Sequence, residues 1–200
     1  MASSWGRSCI NTTRICKGTI EPIIQAAVDP VRNAVEARGC FTTLGLNPGN
    51  QRRRWHGTNR KCNIGDDGRT SFCSSSRCSL CRIIKTSFDV SLAKQKTGWG
   101  RFGSGIYTSS VSSKSATRSS VVAIWALIRG VSRANDYSEN LVDSPWKAIL
   151  LNLVVVGEAK VYKTDRPTLT EPPEGYDSVR SMSPPHFRLS CDFSIDHREA

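Results

Sequence analysis

The sequence predicts an α+β domain, and three observations carry that prediction. Apolar residues recur at spacings of three and four near the N-terminus, at Ile24, Ala27, Val28, Val31 and Val35, which is the repeat of a helix with one buried face. Residues 149–156 form a near-continuous apolar run of strand length, as expected of a strand covered on both faces. Residues 160–163 alternate polar and apolar side chains, the period of a half-exposed strand. Helices at the N-terminal end then pack alongside a sheet built by the rest of the chain.

Taken in order, the chain opens with a polar, irregular stretch to about Lys17. In the helical passage that follows, Asp29-Pro30 supplies an N-cap and a first-turn proline, and Arg38-Gly39 supplies a stop. These signals predict two short helices meeting at Asp29. Leu46-Asn47-Pro48-Gly49-Asn50 is a turn, and residues 51–58 are the strand it feeds. Arg52-Arg53-Arg54 at that strand's start reads as a solvated basic run, or as one that meets a pyrophosphate or an acceptor. Asn152 interrupts the apolar run at 149–156 and is expected at an edge or bulge. No internal repeat is found.

Two hundred residues suffice for one domain, or one domain with an appendage, and for a core able to support a cleft. With 28 Lys and Arg against 17 Asp and Glu, the net charge is +11. That excess suits an anionic dinucleotide and equally a nucleic-acid or acidic-protein acceptor, while a solvated basic surface explains it as well. The opening Met1-Ala2-Ser3-Ser4-Trp5-Gly6-Arg7 lacks the apolar core of a secretory peptide, and no apolar run is long enough to span a bilayer. The expected location is intracellular, nucleus or cytoplasm, with no membrane partner.

Of eight cysteines, Cys62, Cys73, Cys78 and Cys81 fall in one Ser-, Gly- and charge-rich stretch, and Cys78-Ser79-Leu80-Cys81 has the spacing that converges two thiolates on one ion. In a reducing compartment this set reads as a structural zinc site, against the alternative of four reduced thiols in a surface loop.

Three further segments carry chemistry: Trp55-His56-Gly57-Thr58, then Gly103-Ser104-Gly105-Ile106-Tyr107, then Ser113-Lys114-Ser115-Ala116. An imidazole can donate to a ribose hydroxyl, a glycine lets its backbone approach a planar carboxamide, and a phenol offers a face for stacking. In order and spacing these segments resemble the catalytic domain of the poly(ADP-ribose) polymerase family, in the variant with Cys-x-x-Cys between the first two elements that looks like the fungal and plant branch. The resemblance runs from about Arg52 to Arg180 and includes residues 149–159 and Pro173-Glu174-Gly175-Tyr176-Asp177-Ser178-Val179.

That resemblance implies an ADP-ribosyltransferase fold, a split, mostly antiparallel β-sheet around an NAD cleft, over residues 46–200, with residues 1–45 as an irregular and helical N-terminal segment. It implies transfer of ADP-ribose from NAD to a protein or nucleic-acid acceptor. His56 would fix the adenosine-side ribose and Gly57 the carboxamide, with Thr58 and Gly105 lining the same pocket. Tyr107 would stack on the nicotinamide, Ser115 would bond its amide, and Lys114 would lie near the ring. His56 and Tyr107 are thereby the catalytic candidates. The cysteine stretch falls where the family carries the loop over bound NAD.

The chain departs from the family pattern twice. The second stacking aromatic should follow Ser115-Ala116 closely, and removing residues 117–134 would restore it by joining them to Asn135-Asp136-Tyr137, so this stretch reads as an insertion and Tyr137 as the second aromatic. The glutamate expected on the last strand is not identifiable, since Asp192 lies close after Val179 and Glu199 has no strand behind it. Two alternatives therefore stand beside the enzyme. One is an NAD-binding or scaffold member of the same fold without turnover, and the other is a zinc-containing nucleic-acid-binding module.

Overall fold

The computed structural model describes residues 10–15, 25–66, 68–92, 100–110, 138–144, 148–181 and 191–194. Among them the elements are β1 (Ile10–Ile15), α1 (Gln25–Gly39), β2 (Gln51–His56), β3 (Asn59–Arg60), α2 (Ser79–Thr86), β4 (Ile106–Ser109), β5 (Glu139–Asn140), β6 (Leu150–Val155), β7 (Ala159–Tyr162), β8 (Ser178–Ser181) and β9 (Cys191–Ser194). Seven strands join in the order β1-β6-β2-β4-β9-β8-β7, all antiparallel except the parallel pair of β7 and β8. The pair β3 and β5 is separate and parallel. Helix and strand are thus mixed around an antiparallel sheet, as the hydrophobic pattern predicts.

The apolar run becomes β6, which lies between β1 and β2, with Leu150, Asn152, Val154 and Val155 buried and Leu151 and Leu153 half-buried. Leu150 and Val154 pack into a core with Ile64, Leu80, Ile83, Ile84, Phe88 and Ile106 beneath α2. Val155 meets Val35 of α1 and Phe41. Each such buried aliphatic side chain contributes roughly 1.5–3 kcal/mol relative to exposure.

Three local expectations are corrected. The opening stretch is not irregular throughout, because Ile10–Ile15 forms β1 on the sheet edge; four of its six residues, Ile10, Thr12, Thr13 and Ile15, are β-branched and favour a pleated backbone. The two short helices are one, since α1 runs through Pro30. Pro30 is exposed and lies inside α1, where its missing N–H removes one backbone hydrogen bond. Asn152 is at neither an edge nor a bulge of its own strand: it is 0% exposed in the interior of the sheet, paired with Thr12 and Arg54. Its Nδ2 donates to the Arg54 carbonyl at 3.4 Å, which makes the buried amide tolerable. The register slip falls on the neighbouring strand, between Thr12 and Arg14.

Polar ties fix α1 to the sheet. Glu36 accepts from the backbone N–H of Thr42 at 2.9 Å and of Gly49 at 2.7 Å. Arg38 reaches Asp177 at 2.5 Å, and Asp177 also accepts from the Glu158 N–H at 2.9 Å.

The sheet is not evenly joined. Strands β6 and β2 share a continuous register from Gln51↔Val155 to His56↔Leu150, and β4 and β9 pair from Ile106↔Ser194 to Ser109↔Cys191. Between these halves β2 and β4 are registered only through Trp55↔Ser109. His56 and Tyr107, the two catalytic candidates of the sequence, lie at this narrow seam.

Candidate functional site

His56 closes β2, and its imidazole Nδ1 lies 2.8 Å from the carbonyl oxygen of Tyr107. A carbonyl only accepts, so Nδ1 carries the proton and Nε2 keeps its lone pair. The Phe88 ring packs edge-on to the imidazole, with centroids 4.8 Å apart and planes at 87°. Burial lowers the His56 pKa, opposed by the bond to Tyr107, so the neutral ring is favoured. A neutral imidazole with Nδ1 engaged meets a ribose hydroxyl as an acceptor at Nε2, where the residue type alone suggested a donor.

Tyr107 is held at both ends. Its main chain lies in β4 against His56, while its hydroxyl accepts from the Phe102 N–H at 2.9 Å and donates to the Gly103 carbonyl at 2.9 Å. The ring is half-buried beside Phe102 and Val179, a different apolar cluster from the one holding Phe88. The contact between the two candidates is therefore imidazole to main chain, and the phenol stands over the turn at 100–103. Gly103 makes that turn at φ 80, packed so closely on Leu169 that a Cβ would fall on its carbonyl oxygen.

Gly57 and Thr58 follow β2 half-buried, and Gly105 is buried immediately before β4. Lys114, Ser115, Tyr137 and the stretch 117–134 lie outside the described residues. The chain after Tyr137 nevertheless returns to this end of the fold, because β5 pairs Asn59↔Glu139 and Arg60↔Asn140. On the far side of β4 lies β9, with Asp192 in register between Thr108 and Arg180.

The four cysteines form the second constellation. Their sulfurs all lie within 4.8 Å of one another, with Cys62 3.4 Å from Cys81 and 3.9 Å from Cys78. A tetrahedral ion with metal–sulfur bonds of about 2.3 Å needs sulfurs about 3.8 Å apart, so the donor set fits zinc in number, type and spacing. Each sulfur also meets a backbone group: Lys61 N–H donates to Cys78 at 3.3 Å, and Ile64, Ser75 and Cys73 supply backbone bonds to Cys62, Cys73 and Cys81. Donors aimed at sulfur are the outer shell a thiolate–metal centre requires.

Burial pushes the Cys62 and Cys81 thiols up, whereas at Cys73 hydrogen bonds from Ser75 and the neighbouring thiols overcome burial and lower it. Metal-free, Cys62 and Cys81 stay protonated at neutral pH, so loading zinc releases protons. A cleft of 170 Å³ beside the cluster is lined by Cys73, Cys81, Arg82 and Lys85. It is too small for a dinucleotide and does not reach His56 or Tyr107. Lys85 also donates to the Cys73 carbonyl at 2.9 Å, so cations stand where a tetrathiolate–zinc unit would be doubly negative.

Two residues that matter here carry little or no signal in the sequence motifs. Arg60 is 1% exposed, yet its guanidinium bonds Asp66 at 2.7 Å, the Ile64 carbonyl at 2.9 Å and Asn140 at 3.1 Å, clamping the cysteine loop to β5. An arginine in a polar stretch gives no hydropathy signal. Phe88 follows Leu80, Ile83 and Ile84, whose helical spacing marks the buried face of α2 and is the one pattern that points to it. No protein-family model matches the chain, and no curated protein matches it. No described helix is long and apolar enough to cross a membrane.

Proposed function

We propose that this chain is an ADP-ribosyltransferase of the poly(ADP-ribose) polymerase type, moving ADP-ribose from NAD to a protein or nucleic-acid acceptor and releasing nicotinamide. One observation carries the reading: the His56 imidazole reaches the main-chain carbonyl of Tyr107, from a motif far away in the chain, at 2.8 Å, at the seam where β2 and β4 are registered by a single residue pair. A continuous sheet joined there by one registered pair is compatible with the split sheet of the ADP-ribosyltransferase fold, and in this reading NAD binds beside the seam.

In this reading the bond between the ribose and the nicotinamide nitrogen breaks, the electron pair leaves with neutral nicotinamide, and an acceptor nucleophile closes on the ribosyl carbon while shedding its proton. The protein has chiefly to orient NAD and stabilise developing positive charge. On the resemblance, His56 would accept a ribose hydroxyl at Nε2, Gly57 would present its backbone to the carboxamide, and Tyr107 would offer its ring. Lys114, Ser115 and Tyr137 would complete the nicotinamide site on the resemblance. The carboxylate that would stabilise charge and receive the acceptor's proton is not identifiable in the sequence. Zinc on Cys62, Cys73, Cys78 and Cys81 would fix the loop over the cleft, a structural role.

The glutamate of the family pattern is not identifiable in this chain, and this favours a second reading, NAD binding without turnover. Labelled NAD separates the two. The enzyme reading expects nicotinamide release and label transfer that vanish in Tyr107→Ala, whereas saturable binding without release supports the second. No binding, or release untouched by Tyr107→Ala, overturns both. Native mass spectrometry tests the metal: the chain mass plus one zinc ion is expected, and the bare chain mass refutes it.

A further inference from the structure

The structure assigns the cysteine cluster a second role. Through α2, Ser87 and Phe88 it holds the imidazole of His56 in place, so that metal binding at the cluster sets the orientation of His56. The inference rests on the metal reading of the cluster and is independent of the dinucleotide reading.

The connection is short and made of fixed parts. Cys78 is the N-cap of α2 and Cys81 lies in its first turn, both buried in the core that Leu80, Ile83 and Ile84 share with Phe88. At the other end of α2, Ser87 has φ 70 and ψ −175, a backbone region that is essentially reserved for glycine. It is held there by its N–H bond to the Ile83 carbonyl at 2.8 Å. Its hydroxyl is buried without a hydrogen-bond partner among the described residues. Phe88 comes next and is 3% exposed, with its ring edge on the imidazole.

A strained joint with an unsatisfied hydroxyl persists only where the chain is fixed on both sides. Here one side is the cysteine cluster and the other is the Phe88–His56 contact. Releasing the cluster gives Ser87 freedom to relax, and relaxation withdraws Phe88 from the imidazole. The partly buried ring then meets more water, which competes with the Tyr107 carbonyl for Nδ1. Phe88 is on this account a positioning residue for His56, and any chemistry that unloads the thiols, by chelation or oxidation, acts on His56 from a distance.

The test uses the full chain with nitrogen-15 histidine, loaded with zinc alone, and follows the two imidazole nitrogens of His56 by NMR. With zinc, one protonated and one unprotonated nitrogen are expected, the single form with Nδ1 bonded. After chelation that signature should be lost and the ring should titrate near the unperturbed value of about 6.5. Phe88→Leu in the zinc-loaded protein should give the same loss with the metal still bound, and it decides the matter should the chelated chain unfold. Retention of the single form in Phe88→Leu, or in chelated protein still folded by circular dichroism, overturns the coupling. A chain that takes up no zinc overturns the coupling and the metal reading together, while leaving NAD binding as a separate measurement.

Discussion

Replacing Gly103 with alanine should be costly out of proportion to one methyl group, and Gly45 provides the control that shows why. Both glycines have positive φ, 80 and 74 respectively, so alanine incurs backbone strain of about 1 kcal/mol at either. At Gly45 nothing lies within 4 Å of an added Cβ, and the loss should stop there. At Gly103 the Cβ falls on Leu169, whose carbonyl accepts from Ser104 N–H at 3.1 Å, so the turn must move and that bond is lost. The lost bond costs about 1 kcal/mol and the displacement about 1 kcal/mol more, which brings Gly103→Ala to about 3 kcal/mol. For a chain of this length that is a fall in Tm of roughly 6–12 °C, against roughly 2–4 °C for Gly45→Ala. Thermal unfolding by circular dichroism measures both. Near-ultraviolet signals should also change in Gly103→Ala alone, because the Gly103 carbonyl is the acceptor for the Tyr107 hydroxyl. Equal losses at the two sites would refute the packing argument.

His56 predicts a pH dependence with a definite sign. Burial lowers its folded pKa, so as pH falls below about 6.5 the unfolded imidazole takes up a proton that the folded one resists, and stability declines. In His56→Gln, denaturant unfolding between pH 5 and 7 should show a slope shallower by up to one proton, and an unchanged slope would exclude the assignment. Arg60→Met breaks a buried ion pair and leaves Asp66 without its cation, so it should cost about 3 kcal/mol and weaken zinc loading. A loss below about 1 kcal/mol would show that the clamp is dispensable.

Much of the central sheet was legible because burial there is expressed as hydrophobicity. Residues 149–156 announced β6, and the turn at 46–50 announced the start of β2. The cysteine group was legible from spacing, since two intervening residues let the Cys78 and Cys81 thiolates converge on one ion. What escaped depended on partners that sequence order hides. β1 is polar enough to read as irregular, and it becomes a strand because β6, remote in the chain, pairs with it. Pro30 signalled a helix start, yet the helix begins at Gln25 and runs through it. Asn152 looked peripheral because an amide in an apolar run needs a bonding partner, and the Arg54 carbonyl that provides one lies on another strand. The place of β9 was hidden likewise: it lies close after Val179 in sequence, yet it turns back between β8 and β4.

The order of the sheet also dictates when this protein can fold. Among the described residues β6 is the sole ladder partner of β1, through pairs such as Ile10↔Val154, and it is the main partner of β2. A growing chain on the ribosome must therefore carry both earlier strands unzipped until residue 155 has cleared the exit tunnel. Long loop closures of this kind slow folding and leave edges open to wrong pairing.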